Sequence, residues 1–388
     1  MKPVVAMEFQ TATPEATYNL YHLENNPKGV ISIALSENFN IDDVPLTTYS
    51  GSKVGGLRFR EAMAGHVNKY FNPSLPVCVD DVLCANGVTA ICSISSFALA
   101  DEGEGLLLMR LIYGKFENDW SILSQMKMLY VESGDINPFS PDVVIAYAAR
   151  IAQAEAAGTP VKAMLICNPH NPSGLCYSTE TLLAIARLCA SHNIHLISDK
   201  IYALLVFPAP SSVPFTSMLS IDVTDIIDPS SVYVLYGISK DFCVPRLHLG
   251  ALVTRNTQLQ SALQAIGLVH ALSGVACHVG SLMLEDTNFV GRVTALSRRN
   301  LSENYAMVTH MFDEADISYW RGGCAGFFLW VNLSALLEGD GGAGEDKLVQ
   351  RFQEGLWLNP GAERGEYRGW VRVIISHEKG KLEEGIRR

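Results

Sequence analysis

The chain has 388 residues, a formal net charge of −11 and a hydrophobic fraction of 48%. A chain of this length usually forms more than one domain, and this apolar fraction is enough for the large core of a globular protein. The negative charge argues against a nucleic-acid-binding surface, and no basic run offsets it. No uncharged apolar run reaches the roughly 18 residues that a membrane-spanning helix needs, so we expect no membrane segment.

The N-terminal segment and the cysteines indicate a cytoplasmic protein. Glu8 interrupts the apolar stretch where a signal peptide would continue its hydrophobic region. The nine cysteines are scattered, mostly within apolar segments, and show no metal-ligand spacing. We therefore predict reduced cysteines in the core and no metal site.

Short apolar segments that end in turn residues recur along the first two thirds of the chain. Their β-branched and aromatic content predicts strands. Helical patterns lie between them, and Ser178 is predicted to cap one such helix, with Glu180 in its first turn. This alternation predicts an α/β fold with a mostly parallel sheet that is covered on both faces. The predicted strands are residues 29–38 (with a polar turn at the end), 82–85, 105–109, 163–167, 194–199 and 232–235.

The last hundred residues have a different character. Residues 326–331 and 370–375 read as strands of a smaller α+β domain. We therefore expect residues 45–275 to form the large domain. Residues 1–44 and 276–388 are then expected to form the small one.

Polar residues follow several of the predicted strands. Lys240 comes soon after the strand at 232–235, Asp199 ends another, and Asn171 follows a third. In such sheets these positions converge where ligands bind. Burial lowers the pKa of a lysine, which makes its neutral amine available for a Schiff base with an aldehyde. The alternative for Lys240 alone is a side chain that extends from the strand end to water.

Four motifs, in this order, resemble the aminotransferase class I/II family of fold-type I pyridoxal 5′-phosphate (PLP) enzymes. Within that family they look most like the branch of the 1-aminocyclopropane-1-carboxylate (ACC) synthases. The resemblance extends over nearly the whole chain, from Ile31 to Arg372. Each motif alone has little specificity, but their shared order makes coincidence improbable. The motifs are Asn168-Pro-x-Asn171-Pro-x-Gly174, Ser198-Asp199-x-Ile-Tyr202, Ser239-Lys240-Asp241 and Trp370-Val-Arg372.

The resemblance implies catalytic roles for Lys240, Asp199 and Tyr202. Lys240 would hold PLP and later move the proton of the substrate Cα. Asp199 would face the pyridine nitrogen and keep it protonated. Asn171 and Tyr202 match the hydrogen-bond partners of the phenolic oxygen, and Tyr113 matches the aromatic residue that stacks on the ring. Without the other motifs, Asn171 would be an ordinary turn residue and Tyr113 a core residue.

Further matches concern the phosphate and the substrate. Gly87-Val88-Thr89 matches the phosphate loop, in which backbone N–H groups at a helix start face an anion. Tyr49 matches a tyrosine that reaches the phosphate of the neighbouring subunit's cofactor, which implies a homodimer. Arg372 matches the arginine that binds the substrate carboxylate, and a surface ion pair is its alternative. Glu37 lies where ACC synthases carry a glutamate near the substrate, and a solvated turn is its alternative.

The family pattern breaks after the lysine. His248 stands where relatives have a phosphate-binding arginine, and Arg246 where they have a glycine. Gly237 replaces a phosphate-binding serine, and Lys200 replaces a glutamate. If the segment is extended, Arg246 and His248 point the same way. We therefore expect Arg246 to supply the missing charge and His248 at most a hydrogen bond.

The predicted function is that of a PLP enzyme acting on a small amino acid or an amino-acid-derived intermediate through an external aldimine. A transaminase and an ACC-synthase-like lyase share these first steps. The alternative is a degenerate homologue that serves as a binding or scaffold subunit, which the departures at His248 and Gly237 favour. The expected partners are the substrate and a second copy of the chain, with no nucleic acid and no membrane.

Overall fold

The structure is a computed structural model. It describes residues 27–28, 53–210, 212–338, 344, 347–348, 350, 359–360 and 368–387. Two residues that the sequence predicts at the site, Glu37 and Tyr49, lie outside this described part. So does the strand predicted at residues 29–38.

A sheet of seven strands, called the large sheet below, forms the centre of the molecule. Its order is β1-β7-β6-β5-β4-β2-β3. β7 pairs antiparallel with β1 and β6, and the other pairings are parallel. All strands except β7 therefore end at one edge, which confirms the mostly parallel sheet. The strands are β1 (Val82–Asn86), β2 (Gly105–Met109), β3 (Lys127–Val131), β4 (Val161–Cys167), β5 (His195–Asp199), β6 (Val232–Gly237) and β7 (Leu249–Thr254).

Helices cover both faces of the large sheet, and β4 shows how its side chains are divided between them. Met164 and Ile166 face one core, and Leu165 and Cys167 face the other, because successive strand residues point to opposite faces. All four are buried. The helices are α1 (Leu57–Phe71), α2 (Gly87–Leu99), α3 (Phe116–Ser121), α4 (Val143–Ala156), α5 (Thr179–Ser191), α6 (Ile238–Asp241), α7 (Thr257–Ile266), α8 (Gly274–Glu285), α9 (Thr287–Glu314) and α10 (Lys379–Arg387).

Local signals predicted several elements well. The strand expected at 105–109 has those bounds, and Ser178 caps α5 by accepting a hydrogen bond from Thr181 N at 3.1 Å. β3 and β7 are not among the predicted strands. β3 begins with the exposed Lys127. β7 follows a segment with Pro245 that reads as irregular, although all of its own residues are buried.

A second sheet has three antiparallel strands in the order β8-β10-β9 and is called the small sheet. Its strands are β8 (Phe328–Asn332), β9 (Asn359–Pro360) and β10 (Trp370–Ile374). Leu329 and Val373 pack with Val308 of the long helix α9 in a core of their own. This is the smaller α+β unit that the sequence predicts.

The domain boundary expected at residues 275 and 276 stays a prediction. Helix α8 spans this position and packs on α1. Cys277 and Leu284 of α8 belong to a core of the large sheet. Within the described residues, no single helix is long and apolar enough to cross a membrane, and only the bent pair Thr257–His270 and Gly274–Glu285 passes a test of length and composition together.

Candidate active site

A cavity of about 680 Å³ lies at the edge where the parallel strands end. Its volume falls within the range of roughly 300–1,000 Å³ that is typical of small-molecule sites. The loops and helix starts after β1, β2, β4, β5 and β6 contribute to its wall, as does β10 of the small sheet. It brings together ten of the residues predicted from the sequence: Gly87, Val88, Thr89, Tyr113, Asn171, Asp199, Tyr202, Lys240, His248 and Arg372.

Lys240 lies in the short helix α6, which begins directly after β6. Its side chain is half-buried, and Nζ lies 6.0 Å from the centre of the Phe327 ring. Burial lowers the pKa of Lys240, the positive charge of Arg372 lowers it further, and Asp199 opposes the shift. This shift is toward the neutral amine, which is the nucleophilic form, in the direction that the sequence predicts.

Asp199 is the last residue of β5 and is buried at the floor of the cavity. Its Oδ1 accepts a hydrogen bond from the backbone N–H of Ile201 at 2.9 Å. Burial raises the pKa of Asp199 to about 7, and the Ile201 N–H and Lys200 oppose this shift. Because the carboxyl group titrates near neutral pH, a cationic partner in the cavity would hold it ionised.

Asn171, Tyr202 and Arg372 form a chain of hydrogen bonds across the cavity. Arg372 Nη1 donates to Asn171 Oδ1 at 3.0 Å, and Asn171 Nδ2 donates a long bond of 3.5 Å to Tyr202 Oη. The guanidinium of Arg372 also lies 5.5 Å from the Phe328 ring centre. Burial raises the pKa of Tyr202, so the phenol stays neutral and can donate a hydrogen bond.

The N-terminus of α2 forms one end of the cavity. Gly87 has φ +84°, a conformation that favours glycine, and starts the helix directly after β1. Gly250 of β7 lies against this turn, since a Cβ there would meet Gly87 C at 2.5 Å and Val88 N at 2.6 Å. A Cβ on Gly237 would similarly lie 3.0 Å from Val88 Cγ2. Val88 thus crowds the place where relatives have a serine side chain.

The segment after Lys240 is not extended, so the expectation that Arg246 and His248 point the same way is wrong. Pro245–Leu247 forms a 3₁₀ turn, and His248 has a left-handed φ of +51°. The rule that alternate residues point the same way holds only in strands. Both residues are exposed, but only His248 is among the described residues that line the cavity.

Other residues that the sequence did not indicate also line the cavity, among them Asp119, His270 and Phe327. Asp119 of α3 accepts a hydrogen bond from Thr89 Oγ1 at 3.3 Å, and nothing in the sequence of this short, mostly polar helix distinguishes it from Glu117. His270 comes from a 3₁₀ turn after α7, and Phe327 directly precedes β8. No spacing in the sequence distinguishes these last two.

These residues fit PLP. Lys240 offers an amine for the aldehyde, and Asp199 offers a buried carboxyl group for the pyridine nitrogen. The N–H groups at the start of α2 suit the phosphate. The large sheet is mostly parallel and carries these residues at one edge, and the small sheet contributes Arg372. Together these features define a fold-type I PLP protein.

Comparison with known proteins agrees with this class. The sequence model "Aminotransferase class I and II" matches residues 19–388. The chain belongs to this PLP-dependent family, in its ACC-synthase-like branch.

The curated relatives are 28–30% identical. The chain is 30% identical to 1-aminocyclopropane-1-carboxylate synthase 3 of Oryza sativa subsp. japonica over 387 residues, with 91% of this chain and 84% of the relative covered. It is 29% identical to a Mus musculus protein named "Probable inactive 1-aminocyclopropane-1-carboxylate synthase-like protein 2", with 92% of this chain covered. It spans 64% of that relative's length.

The fold is also similar to solved structures. A double mutant of Thermus thermophilus aspartate aminotransferase superimposes with a TM-score of 0.73 at 18% identity, covering 88% of this chain and 83% of the other. An aminotransferase from Mycobacterium tuberculosis gives a TM-score of 0.72 at 20% identity, covering 87% and 81%. At this identity the likeness shows the fold alone.

Proposed function

We propose that this chain is an active PLP-dependent enzyme that acts on a small amino acid or an amino-acid-derived intermediate. The observation that carries the proposal is the convergence of Lys240, Asp199 and Arg372 on one cavity, in which the pKa of the lysine is lowered. A half-buried lysine with a lowered pKa, beside a buried carboxyl group and a carboxylate-binding arginine, is an arrangement suited to amino-acid chemistry.

The residues have separate tasks. When bound, PLP withdraws electrons from the substrate carbon that carries the amino group. Lys240 would hold the cofactor at its aldehyde carbon, and its Nζ would move the proton of the substrate Cα. Asp199 keeps a proton on the pyridine nitrogen, and Arg372 binds the substrate carboxylate. Asn171 orients Arg372 through the bond to its Nη1.

The reaction after proton removal is either transamination or an ACC-synthase-like elimination. The two differ in where the proton returns and in whether the substrate has a leaving group. ACC synthases among the relatives favour elimination, but 28–30% identity supports only the shared first steps. Mixing the protein with amino acids and assaying for pyridoxamine phosphate distinguishes the two, since only transamination leaves the amino group on the cofactor.

The first test concerns Lys240. Purified protein incubated with PLP should show the absorbance band of lysine-bound cofactor, and Lys240→Ala should remove it. Borohydride reduction and peptide mapping should then place the pyridoxyl label on Lys240. Lys115→Ala is the matched control, because Lys115 is exposed and lies two residues after Tyr113. Label on another lysine, or on none, contradicts the proposal.

A binding or scaffold subunit is the second candidate. It is favoured by His248 in place of the family's arginine and by Gly237, where Val88 leaves little room for a side chain. The word "inactive" in the name of the mouse relative points the same way. A scaffold would give either no cofactor band or a band that no amino acid alters. An active enzyme would show spectral changes with at least one amino acid.

The partner in this proposal is a second copy of the chain. Val275, Val279 and Leu282 form an exposed row on one face of α8, with exposures of 54%, 37% and 49%. Val269 is 86% exposed and precedes His270, which lines the cavity. An apolar surface beside the site suits a homodimer whose interface adjoins both cavities.

The compartment in this proposal is the cytoplasm. All nine cysteines are free thiols, although Cys176 Sγ and Cys324 Sγ lie only 3.9 Å apart. Unpaired neighbouring thiols are typical of a reducing compartment.

A further inference from the structure

The departure from the family pattern after Lys240 falls at the phosphate end of the cavity. Four side chains that can carry a positive charge are among the described residues lining the cavity: Lys240, His248, His270 and Arg372. Lys240 is assigned to the cofactor's aldehyde, and Arg372 is bound to Asn171. His248 is the one placed at the start of α2, where its Nδ1 lies 3.8 Å from the position of a Cβ on Gly87.

The backbone explains why His248 and not Arg246 reaches this place. Arg246 lies within the 3₁₀ turn Pro245–Leu247 and is not among the described residues that line the cavity, although His248 is equally exposed. The left-handed residue that follows reverses the chain into β7, with His248 N donating to Pro245 O at 3.2 Å. This turn presents the imidazole of His248 to the cavity.

We propose that His248 is the basic side chain that binds the cofactor phosphate, together with the N–H groups at the start of α2, and that Arg246 takes no part. The inference rests on the cofactor assignment of the proposed function and reverses the expectation from the sequence. A permanent guanidinium in relatives is replaced here by a group whose charge depends on pH.

The expected consequence is cofactor affinity that weakens as the pH rises. An imidazole changes its charge between about pH 5 and 8, whereas a guanidinium stays charged. Other titratable groups share the cavity, so only a comparison between variants isolates His248. Those groups, with the charged Arg372, are Tyr113, Asp119, Cys167, Asp199, Tyr202, Lys240 and His270.

The experiment measures dissociation constants in a Lys240→Ala background, which removes the covalent bond and its own pH dependence. PLP and pyridoxal, which lacks the phosphate, are titrated at about pH 6 and about pH 8. The variants are His248→Asn, His248→Arg and, as the matched control, Arg246→Ala. Asparagine tolerates the left-handed backbone of His248 better than alanine does. Titration of the phosphate of free PLP near pH 6 is common to all variants and cancels in the ratios.

His248→Asn is expected to weaken PLP binding by about tenfold or more at pH 6 and by less than about threefold at pH 8, since a charge-assisted hydrogen bond is lost only where the imidazole is charged. Pyridoxal binding should not change. Arg246→Ala should stay within about twofold of the parent. His248→Arg should bind PLP at least as well as the parent. Its affinity for PLP should lack the part of the parent's pH dependence that comes from the imidazole.

Three results would overturn the inference. The first is a larger loss with Arg246→Ala than with His248→Asn. The second is an equal loss of PLP and pyridoxal, which would show a structural effect. The third is a ratio between the PLP dissociation constants of His248→Asn and the parent that is the same at both pH values. Failure of every variant and of the parent to bind PLP would instead contradict the proposed function.

Discussion

Replacing Gly250 by alanine tests whether β7 supports the phosphate end of the cavity. Gly250 lies in the buried strand β7, and an added Cβ would meet Gly87 C at 2.5 Å and Val88 N at 2.6 Å. Both contacts are backbone atoms, which cannot rotate away as a side chain can. Ordinary contact begins at 3.4 Å, so the start of α2 must retreat by about 0.9 Å, the difference between 3.4 and 2.5 Å.

This displacement has two measurable costs. Overpacking of a rigid site lowers the free energy of unfolding by about 1–3 kcal/mol. The N–H groups of Gly87 and Val88 also move relative to the phosphate, which should weaken PLP binding by about tenfold if one charge-assisted hydrogen bond is lost. Urea unfolding and a PLP titration measure the two effects separately.

Gly291→Ala is the matched control. Gly291 is exposed in the second turn of α9, and a Cβ there meets nothing within 4 Å. The same substitution should therefore raise the free energy of unfolding by about 0.5–1 kcal/mol and leave PLP affinity unchanged. Equal stability of the two variants, with wild-type PLP affinity in Gly250→Ala, would refute the assignment of Gly250 as a close-packed support of the cavity.

Three further predictions concern the substrate, the core and the assembly. Arg372→Ala should raise KM for amino acids by about tenfold or more, since two charge-assisted hydrogen bonds to the carboxylate are lost, and unchanged steady-state kinetics would count against this role. Lys200 is fully buried, its Nζ has no hydrogen-bond partner among the described residues, and burial lowers its pKa to about 7. Lys200→Met should therefore raise the free energy of unfolding by about 1 kcal/mol or more. In the wild type this free energy should rise between about pH 7 and 10, because only the unfolded lysine is protonated there, and the variant should lack this rise. Urea unfolding that shows the same pH dependence in variant and wild type would contradict this. Sedimentation velocity should show a dimer, and a fully active monomer would disprove the role of Tyr49 at a neighbouring subunit's cofactor.

The sequence by itself determined the identity of the chemical groups. Strand 105–109, the cap at Ser178 and the placement of Asp199 at the end of β5 follow from local patterns of burial and hydrogen bonding, because residues close in sequence decide them. The order of the four motifs then indicated which side chains belong to one site. The roles given to Glu37 and Tyr49 remain predictions.

Tertiary structure decided where those groups meet and which of two neighbours faces the cavity. Arg372 and Asn171 are 201 residues apart, and their hydrogen bond exists only because the small sheet closes over the end of β4. His270 and Phe327 reach the cavity in the same way, from turns whose own sequences carry no signal. The choice between Arg246 and His248 depends on a 3₁₀ turn and one left-handed residue. The turn leads into β7, which pairs between β1 and β6, and no local periodicity reveals that pairing.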